Sequence, residues 1–163
     1  MLLLWNILSM SEAVLFAVPA ALFFLTGAPR ELGRLAALVG TMLAGEFVKH
    51  RLVDDDGLPL SPRPASATDC NIFCNNGSQA GKPGMPSTHM AVAAAFATIY
   101  WPYSARVSVP LAISLIAYVV LMAAARYFKG CHTPAQILVG TVYGICVGLL
   151  VWKFEGAAAG AGM

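Results

Sequence analysis

Three short segments of this 163-residue chain carry side chains that can handle a phosphate. The first is Lys49, followed after a gap by Ser61-Pro62-Arg63-Pro64. The second is Gly84-Met85-Pro86-Ser87-Thr88-His89, and the third is Arg126, then His132, with Gln136 one helical turn further on. Arg63 and Arg126 can grip phosphate oxygens in fork geometry, and Lys49 adds a point charge. Pro86-Ser87-Thr88 has the character of a helix start, where unpaired backbone N–H groups and the dipole favour an anion. Two histidines beside such a pocket can divide the work, one attacking phosphorus and the other protonating the departing oxygen. Three cations already bring the charge that a divalent ion would supply, so the pattern calls for no metal and no cofactor.

Taken singly, Lys49 or Arg51 reads as a snorkelling interface anchor, Arg63 as a loop residue between prolines, and His132 as a turn hydrogen bond. The coincidence of all three segments, in order and on one face, is what points to a phosphate site.

The elements that must position these groups are membrane spans. The chain is 58% apolar and only 11% charged, against about 25% charged in an ordinary soluble domain. Disorder is excluded by the hydrophobicity. A net charge of +2 with no basic run gives no footprint for nucleic acid. Five blocks approach the roughly 20 apolar residues a helix needs to cross a bilayer: Leu2 to Leu25, Leu35 to Val48, Thr88 to Tyr103, Val107 to Ala125 and Pro134 to Trp152. The first lacks the positive start of a secretory signal and exceeds its usual apolar length, so it reads as a span. The expected fold is all-α, a polytopic membrane bundle of about five transmembrane helices. It forms a single domain over residues 1–155, with a long loop 51–87 on the active face and a flexible Gly/Ala-rich tail over 156–163. Gly140, Gly144 and Gly148 recur every four residues and give the last helix a smooth face for close packing. All three histidines lie on the face of the long loop, with six of the ten Lys and Arg residues. Positive-inside counting alone would turn that face to the cytoplasm.

The pattern Lys…Arg-Pro, Pro-Ser-x-His, Arg-x5-His, each at a span end, resembles the type 2 phosphatidic acid phosphatase (PAP2) superfamily, over about Glu46 to Val151. The resemblance implies that Lys49, Arg63 and Arg126 clamp the phosphate, with Ser87 and the Thr88 backbone beside them. It makes His89 the general acid and His132 the nucleophile, forming a phosphohistidine that water cleaves. Three features depart from the family pattern. The 13 residues between Lys49 and Arg63 exceed the usual gap, which requires a loop insertion and leaves Arg51 competing with Lys49. Gln136 stands where the third motif usually has Asp. The chain also has fewer spans than is usual.

Gln136, with Pro62-Arg63-Pro64 and Gly84-Met85-Pro86-Ser87, is most similar to the dolichyl-diphosphate phosphatase branch. That implies hydrolysis of a polyprenyl diphosphate to the monophosphate in the endoplasmic reticulum, with the site facing the lumen. The partners are then the lipid phosphate and the surrounding membrane, with no obligatory protein partner. The rival readings are a phosphatidate-type or undecaprenyl-diphosphate phosphatase, and a lipid-binding protein whose activity has decayed. Glu46 lies three residues before Lys49 and is expected to pair with it. Cys70 and Cys74 could pair in a lumenal or periplasmic loop. Asp54-Asp55-Asp56 reads as a solvated turn, and Cys131 has no assigned role.

Overall fold

The computed structural model describes residues 2–53 and 61–161, so the Asp54-Asp55-Asp56 turn lies outside the described residues. Six α-helices follow one another: α1 (Leu2–Met10), α2 (Glu12–Thr26), α3 (Pro29–Val48), α4 (Thr88–Val107), α5 (Val109–Phe128) and α6 (Pro134–Ala161). A π-helical turn, Lys49–Val53, extends α3. Among the described residues there is no strand, only the bridges Pro62 to Pro83 and Thr68 to Ser78 inside the long loop.

The boundaries follow local chemistry. The first apolar block is broken at Ser11, whose hydroxyl donates to the Leu8 carbonyl at 2.7 Å and meets the Tyr118 hydroxyl at 3.0 Å. This break places Glu12 at the start of α2. Gly27, with φ +66°, ends α2 in the left-handed conformation that glycine tolerates. Ser108 caps α5, its hydroxyl accepting from the Leu111 N–H at 3.1 Å. Through most of the Gly/Ala-rich tail α6 continues to Ala161, where Ala157, Ala158 and Ala159 favour helix.

Among the described residues, three helical stretches are long and apolar enough to cross a membrane: Leu3–Thr26, Val109–Phe128 and Pro134–Ala157. The α4 helix is less apolar because it is the hub of the bundle. Met90 to Ala95, Ile99 and Tyr100 are all buried, so small alanines serve where lipid-facing helices need leucine. The protein is a multi-pass integral membrane bundle.

The glycine stripe of α6 lies directly on α4. A Cβ at Gly140 would strike the Ser87 carbonyl, one at Gly144 the Ala91 carbonyl, and one at Gly148 the Thr98 side chain. At the end of the bundle away from the histidines, Arg34 forks onto Glu155 at 2.8 and 2.9 Å and reaches Glu31 at 2.9 Å. The Tyr100 hydroxyl donates to the same Glu31 at 2.8 Å, so α3, α4 and α6 are tied together there.

The loop folds back over the turn between α5 and α6. Lys129 Nζ donates to the Asp69 carbonyl and Arg126 Nη2 to the Cys70 carbonyl, both at 2.6 Å. These bonds bring Cys70 against the turn, where it forms a disulfide with Cys131. Cys70 is thus not paired with Cys74, the alternative that a lumenal or periplasmic loop left open. Cys74 is a free thiol, held 2.8 Å from Lys129 Nζ.

Gly144→Ala puts a methyl group into the Ala91 backbone, and overpacking of this kind costs about 1–3 kcal/mol. Thermal unfolding in detergent should show a clear loss for Gly144→Ala and none for Gly40→Ala, where a Cβ meets open space.

Candidate active site

The structure gathers all eight residues singled out in the sequence at one end of the bundle. The π-helical turn after α3 brings Lys49 into the site. Its Nζ donates to Glu46 Oε1 at 2.5 Å and lies 3.5 Å from Thr88 Oγ1, and Thr88 Oγ1 itself donates to Glu46 at 2.7 Å. Arg51, two residues on, is exposed, so geometry gives the inward position to Lys49. The expected Glu46–Lys49 pair is present.

Arg63 comes from the long loop. Its Nε donates to the Pro83 carbonyl at 3.2 Å and its Nη1 to the Cys131 carbonyl at 3.3 Å, and Nη1 lies 3.2 Å from His132 Nε2. The loop segment is held by Arg63 N–H to the Lys82 carbonyl and Gly84 N–H to the Ser61 carbonyl. Gly84 has to be glycine, since a Cβ would lie 2.7 Å from Gln136 Oε1 and 2.8 Å from Arg63 Cγ.

Gln136 uses both ends of its amide. Its NH2 donates to the Ser61 and Pro62 carbonyls at 3.0 and 2.9 Å, which fixes its oxygen toward His132 Nδ1 at 3.1 Å and the Thr133 N–H at 3.2 Å. A carbonyl oxygen only accepts, so His132 carries its proton on Nδ1 and keeps a lone pair on Nε2. Burial, helped by the positive charges of Arg126, Arg63 and Lys49, pushes the His132 pKa well below the ordinary imidazole value, and the Gln136 bond opposes this only in part. The His132 Nε2 lone pair accepts from the Arg63 guanidinium. Burial also lowers the Arg63 pKa, against the pull of Glu46.

Arg126 is fully buried at the end of α5, with Nη1 donating to Ser9 Oγ at 3.0 Å and Nη2 to the Cys70 carbonyl. Among the described residues, four buried side-chain polar atoms lack a hydrogen-bond partner in the protein. Three of them are Ser87 Oγ and Arg126 Nε, from residues expected to hold the phosphate, and His89 Nε2, from the expected general acid. Buried polar atoms of this kind are normally satisfied, and a phosphate oxygen beside them would do so. A cavity of about 290 Å³ opens over the site, lined in part by Glu12, Glu46, Arg63, Thr88 and His89. Lys49 and His132 are buried against that lining.

The sequence profile of the PAP2 superfamily matches residues 32–159. The chain belongs to the PAP2 superfamily. This PAP2 chain also shares its fold with the first transmembrane PAP2 type phosphatidylglycerolphosphate phosphatase from Bacillus subtilis, seen in a crystal structure. The TM-score is 0.66 at 18% identity, covering 89% of this chain and 68% of the other. No curated protein matches the sequence. As a PAP2 protein embedded in the membrane, the chain is a lipid phosphatase, and its substrate is a lipid phosphate.

Two residues that hold this PAP2 site together escaped the sequence reading. Ser9 secures Arg126, and Glu12, inside the first apolar block, lies 3.2 Å from His89 Nε2. A carboxylate inside an apolar block is itself a signal, because such a charge is expensive in a membrane and is kept for a partner. Ser9 carries no comparable signal, since a serine sits easily on a membrane helix.

Gln136→Glu removes the NH2 donor and sets carboxylate oxygen against the Ser61 and Pro62 carbonyls. Each buried group left unpaired costs about 1–3 kcal/mol, so kcat/KM should fall about 100-fold, with a rise in KM as Arg63 shifts. Unchanged kinetics would show that the loop does not depend on this amide. Histidine NMR of the protein in detergent should find His132 as the neutral Nδ1–H tautomer through the range around pH 6.5, where ordinary histidines titrate. A lowered pKa means that the ring gains its second proton only at lower pH, so a normal titration would contradict the geometry.

Proposed function

We propose that this PAP2 phosphatase hydrolyses a polyprenyl diphosphate of the dolichyl type to the monophosphate, by way of a phosphohistidine on His132. The observation that carries the proposal is the placement of His132, its Nε2 accepting from Arg63 Nη1 at 3.2 Å and its Nδ1 held by Gln136. In the first step Nε2 attacks the terminal phosphorus while the bond to the bridging oxygen breaks. His89 gives its proton to that oxygen, and the lipid monophosphate leaves. In the second step water attacks the phosphohistidine, passes a proton to His89, and inorganic phosphate departs. Lys49, Arg63 and Arg126 offset the charge on the equatorial oxygens, with Ser87 and the Thr88 N–H beside them.

Beyond the clamp, the cavity is lined by His50 and Lys82, which offer donors to the second phosphate of a diphosphate. Gln136, shared with the dolichyl-type branch by resemblance, supports the same substrate. The Cys70–Cys131 disulfide lies on the site face, and disulfides persist in oxidising compartments. It supports a lumenal site in the endoplasmic reticulum against the opposite orientation that positive-inside counting would give. A second phosphate also makes the leaving group less demanding, which suits a nucleophile oriented by a neutral amide.

The decisive measurement is phosphate release in detergent with EDTA, from polyprenyl diphosphate, phosphatidate and phosphatidylglycerolphosphate, by wild type and by His132→Ala. The expected result is fastest release from the diphosphate, undiminished by EDTA and lost in His132→Ala. A preference for either monoester would replace the substrate assignment. No release from folded wild type would favour a lipid-binding protein with a decayed site.

A further inference from the structure

His132 and His89 stand in different surroundings, and the difference assigns a role to a residue of the N-terminal helices. His132 is oriented by the neutral amide of Gln136. His89 faces a carboxylate: Glu12 Oε2 lies 3.2 Å from His89 Nε2, and both side chains are buried. The contact falls within ion-pair distance but is not aligned for a hydrogen bond, since His89 Nε2 has no hydrogen-bond partner in the protein. The ring therefore has a counter-charge beside it without spending its N–H on that charge. Both residues line the cavity over the site.

The placement of Glu12 is built by the fold. The break at Ser11 starts α2 at Glu12, and α2 packs against α3 and α4. A carboxylate in the first turn of a helix is favoured by the dipole. The other charged groups whose fields reach it are Arg126 from α5 and Glu46 and Lys49 from the end of α3. Lys49 already has Glu46, and Arg126 already has Ser9 Oγ and the Cys70 carbonyl. His89 is the group within ion-pair reach of Glu12.

We propose that Glu12 is a positioning residue for His89, holding the imidazolium that hands its proton to the departing oxygen and taking no direct part in bond cleavage. When the phosphorus–oxygen bond breaks, the proton passes from His89 to the leaving oxygen, and the ring becomes neutral beside Glu12. When water attacks the phosphohistidine on His132, His89 takes the water proton, and the ion pair with Glu12 is restored. Environments that differ in this way separate the proton donor from the nucleophile in a pair of like groups. The inference rests on the phosphatase reading and adds to it the residue through which His89 acts.

The test is a double-mutant cycle on phosphate release, with binding of inorganic vanadate as a measure of an intact site. A positioned acid contributes about 10²–10⁴ in rate, and Glu12→Gln should lose about 10- to 100-fold of that in kcat while vanadate affinity stays within about threefold. Glu12→Asp, which keeps the charge, should recover most of the loss. The variant Glu12→Gln/His89→Ala should be no slower than His89→Ala, because a residue acting through His89 has nothing left to act on. Multiplicative losses in the double variant, an unchanged Glu12→Gln, or equal damage from Asp and Gln would each overturn the proposal. A folded wild type that binds vanadate but releases no phosphate would instead remove the phosphatase reading on which it stands.

Discussion

Lys49 and Arg126 are buried and Arg63 is half-buried beside two histidines at one end of a membrane bundle, and most of the structure answers to that constraint. A buried cation without compensation costs several kcal/mol or more, and each of the three is compensated differently. Lys49 has Glu46. Arg63 has the carbonyls of Pro83 and Cys131. Arg126 has Ser9, the Cys70 carbonyl and the field of Glu12. The compensation is incomplete by design of the geometry, since Arg126 Nε and Ser87 Oγ are left without protein partners.

That arrangement explains why the fold needs its least regular parts. The π-helical turn rotates Lys49 inward while Arg51 stays outside. The loop beyond Ser61 exists to bring Arg63 over the α5–α6 turn, and the bonds from Lys129 and Arg126 to its backbone, with the disulfide to Cys131, fix it there. The hub helix α4 delivers Ser87, Thr88 and His89 at its start, and the glycines of α6 let the helix carrying Gln136 lie directly on it.

The helical spans were legible because membrane helices announce themselves by length and hydropathy, and the eight candidate residues could be placed together because motifs at helix ends keep short, fixed spacings. Contacts made across the bundle had no such signature. Cys70 and Cys74 are near in sequence, but the partner of Cys70 is 61 residues away, and only the backbone bonds to Lys129 and Arg126 select it. Glu12 lies 77 positions from His89 in sequence, with no local pattern to join them. Gln136 lies one helical turn from His132 in sequence, and its oxygen meets the ring as that spacing allows. Its second role, as a donor to Ser61 and Pro62, depends on where a long loop returns, and periodicity is silent about that.

The two-sided amide of Gln136 also has a consequence for how such a site can change over generations. Its oxygen serves the nucleophile and its nitrogen serves the loop that carries a clamp residue, so one side chain is held to two demands at once. An acidic replacement would satisfy the first and violate the second unless the loop were rebuilt in the same lineage. Drift at position 136 and remodelling of the segment around Ser61 are thus coupled, because a change in either alters the partners of the other.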